Sequence, residues 1–485
     1  MNLAQYLQQN RMQQLPKLFY APVKTEKLNQ PTLLLSNQPL ANQFNLSPAD
    51  FLAGDNLKAL SGDPKSYRQA PIATLYSGHQ FGHYTPQLGD GRAVIIGDLV
   101  DKYNERWECQ LKGAGQTPFS RHADGRAVLR SSIREYLCSE AMAALHIPTT
   151  RALSLVASDD PVYRERVETA AIVARLAPSF IRFGHFEVFY HRKLHTDLQL
   201  LADHVIALYY PQCLSAPNPY LAFFEAVSKI TAHTIAQWQS VGFCHGVLNT
   251  DNMSILGLTL DYGPFGFLDG FHFQHICNHS DHGGRYAFNQ QPFIGQWNLS
   301  CLASTLLPFV PEAELVTVLN QYAQEYQQAY DQRMADKLGL QIVPEAGFVQ
   351  RLLKIMDAQT VDFTIFFRQL AQFDPHQGTL PDAVAVLFTE PRAMDEWLAE
   401  YAQRLLQEGR AHSVKTEAMN QVNPKYILRN HLLEIAIKKA EDKDYSELNQ
   451  LSMIISDPYA EWPEYEQYAA LPPIWAKDIS ISCSS

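Results

Sequence analysis

His245-Gly246-Val247-Leu248-Asn249-Thr250-Asp251-Asn252, followed by Asp261-Tyr262-Gly263, is the stretch that decides how this chain is read. Asn252 offers an amide oxygen and Asp261 a carboxylate, both hard ligands suited to Mg²⁺. Asn252 sits in a loop, and Asp261 stands nine residues further on. Converging from a loop and a strand end, the two would clamp one ion on a phosphate chain.

The spacing is that of a protein-kinase catalytic loop: His, any residue, Asp, four more residues, Asn, and then a metal-binding Asp-Phe-Gly. His245 and Asn252 keep the kinase separation. The position of the kinase base is Val247, which cannot accept a proton. Asp251 is the nearest carboxylate, and a base there could deprotonate a hydroxyl held on the same ion. Read on the kinase pattern alone, the chain would be inactive.

Working upstream, Gly89-Asp90-Gly91-Arg92 directly precedes an apolar strand. Glycines so spaced let backbone N–H groups approach phosphates, although taken alone the motif is more often a plain turn. Lys112 ends a second strand and could reach a phosphate as a point charge; taken alone, a snorkelling edge lysine is favoured. Glu135 follows on the next helical segment, and a strand Lys with a helix Glu is the ion pair that kinases use to hold phosphates in register. Arg175 and Arg182 flank an apolar stretch. Their forks suit phosphate oxygens, while by composition alone they read as exposed charges. His272, His275, Cys277, His279 and His282 crowd one segment but match no paired zinc spacing, so hydrogen-bonding and core roles are favoured.

Ala93 to Val100 and Trp107 to Gly113 read as strands joined by a polar turn, and Ala170 to Leu176 as another. Ala127, Leu129, Ile133, Leu137 and Ala141 mark the apolar face of a helix. Beyond residue 190 the pattern turns helical. Tyr322, Tyr326, Tyr330 and Met334 run before Gly339, Trp397 to Leu406 before Gly409, and a third helix spans Ile427 to Ala440. The expected class is α+β: a protein-kinase-like bilobal fold with a β-rich N-lobe, a largely helical C-lobe and a cleft between them.

With 485 residues, 46% apolar and 18% charged, the chain is an ordinary globular protein. A formal net charge of -11 argues against broad binding to nucleic acid or an anionic membrane. Met1 to Gln14 resemble neither a signal nor a transit peptide, and no apolar run is long enough for a membrane span. A cytoplasmic location is expected. The seven scattered cysteines are not a secreted disulfide framework.

Six segments together carry a closer resemblance. They are Tyr76 to Gly82, Leu88 to Ala93, Leu111 to Gly115, Asn249 to Ser254, Asp261 to Phe265, and Asn423-Pro424-Lys425 with Arg429-Asn430. They resemble the selenoprotein O family over most of the chain, from about residue 30 onward. The resemblance implies a pseudokinase fold that binds ATP in a flipped orientation. It implies transfer of AMP to Ser, Thr or Tyr hydroxyls of proteins, with self-modification open. Gly89, Gly91, Arg92, Lys112, Asp124, Gly125, Arg175, Arg182 and Asp261 would bind ATP. Asp251 would be the base, Asn252 and Asp261 the Mg²⁺ (or Mn²⁺) ligands, and Glu135 the partner of Lys112. Members carry a selenocysteine or cysteine near the C-terminus, here Cys483, which a disulfide could tie to Cys277. The expected organisation is an N-terminal extension over 1–60, an N-lobe over 61–190, and a C-lobe over 191–485 with catalytic loop, metal site and redox tail. UMP transfer from UTP, an inactive nucleotide-binding scaffold and a small-molecule kinase remain the alternatives.

Overall fold

Period-two alternation sorts the strands' side chains between a core and a cleft. In the computed structural model, which describes residues 3–482, the strands run in chain order as β1 Tyr20–Pro22, β2 Thr32–Ser36, β3 Ile72–Thr74, β4 Gly78–Gln80, β5 His83–Thr85, β6 Ala93–Val100, β7 Arg106–Lys112, β8 Ala127–Val128, β9 Arg151–Tyr163 and β10 Val167–Ala177. All but β4 and β5 form one antiparallel sheet in the order β1-β3-β6-β7-β10-β9-β2, with β8 pairing β10. The expected strands over Ala93 to Val100, Trp107 to Gly113 and Ala170 to Leu176 are all present. The first sixty residues supply both edges of this sheet, through β1 and β2.

β7 and β10 pair with Val173 opposite Lys112 and Arg175 opposite Gln110. Opposed residues share a face. Gln110, Lys112, Val173 and Arg175 therefore face one way, while Cys109, Leu111, Ala174 and Leu176 face the other and are buried in an apolar cluster with Leu40, Phe44 and Leu60. A register shift between Ala174 and Arg175 leaves Leu153 as an extra residue in β9, a bulge of β9 opposite β10. Bulges disrupt the ladder and increase the local twist, and this one lies opposite the arginine that enters the cleft.

The helix Leu129–Ala144 packs on β9 and β10 and buries Leu129, Ile133, Leu137 and Ala141, the expected apolar face. Ala127, read as part of that face, instead belongs to β8. Beyond Ala177 the described chain is mainly helical, with long members Pro219–Ser240, Gln291–Leu306 and Glu312–Lys337. Gly339 and Gly409 follow their helices with φ of 66° each, a left-handed turn that glycine adopts without a Cβ clash. The last expected helix begins at Asn430 rather than Ile427. Arg429 is extended there, and its buried guanidinium is bound by Asp362 and Asp269. Among the described residues no helix is long and apolar enough to cross a membrane. The helical part is interrupted by an irregular run whose short strands β11 Phe243–Cys244 and β12 Gly266–Phe267 pair and bracket the segment from His245 to Phe265.

Candidate active site

A cleft of about 540 Å³ opens between the sheet and this irregular run, lined by Lys112, Glu135, Arg175, Arg182, Asp251 and Asp261 among others. Three cations meet two carboxylates there. Lys112 Nζ is bonded to Glu135 and lies 3.3 Å from Asp261 Oδ1. Arg175 Nη1 bridges Glu135 Oε1 at 2.5 Å and Asp261 Oδ1 at 2.7 Å. Arg182 Nη1 reaches Asp261 Oδ2 at 2.5 Å and the Asp251 carbonyl at 2.9 Å. Reading Arg175 and Arg182 as exposed charges fails: they are 1% and 2% exposed. Lys112 is no edge lysine either, since β7 lies inside the sheet.

Electrostatics follow from that packing. Burial alone would raise the Asp261 carboxyl, but Arg182, Lys112 and Arg175 hold it well below the usual range. Burial likewise opposes the Glu135 charge, and Lys112 and Arg175 reverse the shift downward. Lys112 itself is lowered, because burial outweighs Glu135 and Asp261. Burial opposes the Arg182 charge, yet Asp261 and its neighbours raise it. Asp261 has a φ of 61°. That left-handed conformation is uncommon outside glycine and clusters at functional sites.

Asp251 sits in the short turn Thr250–Asn252. Its Oδ2 accepts from Gln80 Nε2 at 3.1 Å, and its Oδ1 has no hydrogen-bond partner. Burial pushes this carboxyl up to about 7, with Gln80 and Arg182 opposing the rise. Val247 lines the same cleft. Asn252 Nδ2 donates to the Val247 carbonyl at 2.9 Å, which leaves the amide Oδ1 for a cation. Asn252 and Asp261 line one cleft with oxygen donors of the type a hard divalent ion takes, so the donor set fits such an ion, which would share or displace the Lys112, Arg175 and Arg182 contacts on Asp261.

Gly89, Gly91 and Arg92 line the cleft rim, and Arg92 is exposed. The glycines serve packing as well as approach. A Cβ on Gly89 would lie 2.5 Å from the Phe119 ring, and one on Gly91 3.1 Å from the Phe119 carbonyl. Asp90 turns inward instead, accepting from Thr74 N and Oγ1 at 2.8 and 2.6 Å. Asp124 and Gly125 do not line the cleft, although their neighbour Ala123 does. Asp124 is held by the Arg164 fork at 2.8 Å on both oxygens. Cys277 packs against Gly246, with Sγ 3.4 Å from the Cys244 carbonyl, while Cys483 lies outside the described residues. His272 bonds Asp357 and Thr360, in keeping with a hydrogen-bonding role.

Several residues in the cleft (Tyr76, Gln80) or packed behind it (Gln110, Glu187, Thr250) were not singled out by residue chemistry. Gln110 bonds Arg175, Tyr76 lies under the Arg182 guanidinium at 5.0 Å, and Gln80, Glu187 and Thr250 surround Asp251. Tyr76, Gln80 and Thr250 fall inside the segments that carry the family resemblance, which was the available signal.

Buried cations facing carboxylates and a free amide oxygen, beside a glycine-lined rim, are the equipment of an enzyme that transfers a group from a nucleoside triphosphate. The family model described as "Protein adenylyltransferase SelO" matches residues 2–456. The chain belongs to this protein adenylyltransferase family and is a nucleotidyltransferase. Among curated relatives, "Protein nucleotidyltransferase YdiU" of Thioalkalivibrio sulfidiphilus is 50% identical over 485 residues, covering 98% of each chain. Its counterpart in Thiobacillus denitrificans is 49% identical over 481 residues with the same coverage. That of Burkholderia multivorans is 52% identical over 432 residues, 86% of this chain and 83% of that one.

Proposed function

We propose that the protein transfers AMP from ATP to Ser, Thr or Tyr hydroxyls of proteins and releases pyrophosphate. The observation that carries this reading is the Asp251 carboxylate, buried with one oxygen unengaged beside Asn252 and the buried cations. ATP enters flipped, so that its β- and γ-phosphates meet Lys112, Arg175 and Arg182. Gly89, Gly91 and Arg92 take the rim, and Asp124 and Gly125 join through the loop they share with Ala123. The acceptor oxygen attacks the α-phosphorus in line, and its proton passes to the Asp251 carboxylate. The bond from the α-phosphorus to the bridging oxygen breaks, and the same cations stabilise the departing pyrophosphate. Asn252 and Asp261 would hold Mg²⁺, or Mn²⁺ with the same oxygen ligands, and a divalent ion there neutralises phosphate charge.

The lobes of this reading are kinase-like, 61–190 and 191–485, with 1–60 packed on the first. Its ATP supply puts the protein in the cytoplasm. Val247 at the kinase base position favours one other reading, an idle nucleotide-binding scaffold. Mass spectrometry of protein acceptors after incubation with ATP and Mg²⁺, or UTP and Mn²⁺, separates the cases. An AMP adduct on hydroxyl side chains is expected. A UMP adduct alone points to the uridylyl variant, and no adduct from either nucleotide to the scaffold.

We further infer a redox bridge from Cys277 to Cys483. In support, the Ile481 carbonyl accepts from His279 N at 2.8 Å, which docks the tail two residues from Cys277 in sequence. Peptide mapping without reductant should recover the Cys277–Cys483 pair after oxidation, and its absence removes the idea.

A further inference from the structure

Asp251 is flanked by a closed ring of hydrogen bonds. His79 N donates to Thr250 Oγ1 at 2.7 Å, and Thr250 Oγ1 donates to Glu187 Oε2 at 2.6 Å. His79 Nδ1 lies 2.7 Å from Glu187 Oε1, so an ionised carboxylate there makes Nδ1 the donor. The three residues come from three separate places: the β4–β5 hairpin, the turn Thr250–Asn252 and the helix Phe183–His191. Glu187 is fully buried, with both oxygens engaged.

The ring's neighbours in sequence are the groups around the base. Thr250 precedes Asp251, and His79 precedes Gln80, whose amide donates to Asp251 Oδ2. Gly78 packs flat on the carboxylate: a Cβ there would lie 2.7 Å from Asp251 Oδ1. The same helix anchors the start of the hairpin, where Ser77 N donates to the Gly184 carbonyl at 3.1 Å. Phe81 N is tied to Asn249 Oδ1 at 3.2 Å and Tyr286 Oη at 2.9 Å. The hairpin and the catalytic turn are thereby fixed to each other, and with them the rotamer of Asp251.

We propose that Glu187, through His79 and Thr250, is a positioning residue for the base: it clamps the hairpin onto the catalytic turn so that the Asp251 carboxylate keeps its bond from Gln80 and its orientation toward the acceptor. The proposal rests on the reading of Asp251 as base. His79, Glu187 and Cys301 also bring their ligand atoms within 4.8 Å of one another, a spacing a metal ion could use. The two oxygens of Glu187 are already spent on His79 and Thr250, which favours the clamp.

The test compares Thr250→Val, nearly isosteric but without the hydroxyl, with Thr250→Ser, which keeps it, and adds Glu187→Gln. Readouts are kcat for AMP transfer, ATP affinity and melting temperature. Thr250→Val and Glu187→Gln should each lower kcat by about 10- to 100-fold, the scale of an ångström-level misplacement, with ATP affinity within about twofold on the same view that only positioning is lost. Thr250→Ser should restore most of kcat. The double variant should be no slower than the worse single one, because the ring acts as a unit. An unchanged kcat in Thr250→Val, or a parallel fall of kcat, affinity and melting temperature that Thr250→Ser does not rescue, overturns the clamp. So does a stoichiometric metal in the purified protein that Glu187→Gln releases. Asp251→Asn separates the failures. If it is slow while Thr250→Val is not, only the clamp is wrong; if it keeps the full rate, the base assignment itself is wrong.

Discussion

Replacing Asp251 by Asn lowers the rate of AMP transfer by about 10²- to 10⁴-fold, the span of a lost general base. ATP affinity should change little, because the cation nearest this residue holds its main chain: Arg182 bonds the Asp251 carbonyl, not its carboxylate. Asn also keeps the volume that packs on Gly78 and a group for Gln80 to bond. The loss therefore reports on proton acceptance rather than on fold. Single-turnover rates with saturating ATP measure it. A variant as fast as the parent would mean that the acceptor's proton leaves by another route.

Asp261→Ala has the second large effect. It removes the proposed metal ligand and the carboxylate on which Lys112, Arg175 and Arg182 converge. AMP transfer should fall by at least about 10³-fold, beyond the loss of a single preorganised transition-state donor. Added Mn²⁺ should not restore it, because the ligand itself is gone. Truncating one partner of a buried ion pair can cost roughly 3–5 kcal/mol. Here Glu135 remains on Lys112 and Arg175, and the Asp261 side chain is 22% exposed, so the structural cost is smaller. Melting curves with and without ATP separate the two effects: the variant should fold and still gain stability from ATP. If AMP labelling by Asp261→Ala equals the parent's, the metal site is elsewhere.

Much of the cleft was legible because its chemistry is local in sequence. Asn252 and Asp261 carry ligand atoms at a recognisable spacing, and Val247 announces its own failure as a base. β6 and the middle of β10 are largely apolar runs, and β7 alternates Trp107, Cys109 and Leu111 with polar residues, patterns that mark strands. β9 was harder, since Ser158, Asp159, Asp160 and Pro161 look like a turn, and they do fall at an irregularity in its pairing with β10, yet the strand runs on through them to Tyr163. Arg175 and Arg182 show the other limit. Arginine is usually exposed, and only the meeting of β10, the helix Leu129–Ala144 and Asp261 supplies the carboxylates that let two be buried. The ring of His79, Glu187 and Thr250 could not be read from spacing, since His79 and Thr250 are 171 residues apart in the chain.

The most direct test of the account is isotopic. The enzyme and a protein acceptor are incubated in parallel with ATP labelled at the α- or the γ-phosphate, using the parent and Asp251→Ala. The account predicts that α-label becomes covalently bound to acceptor hydroxyls, that γ-label appears only in released pyrophosphate, and that Asp251→Ala transfers almost none. Covalent γ-label on the acceptor, or undiminished α-label from Asp251→Ala, would contradict it.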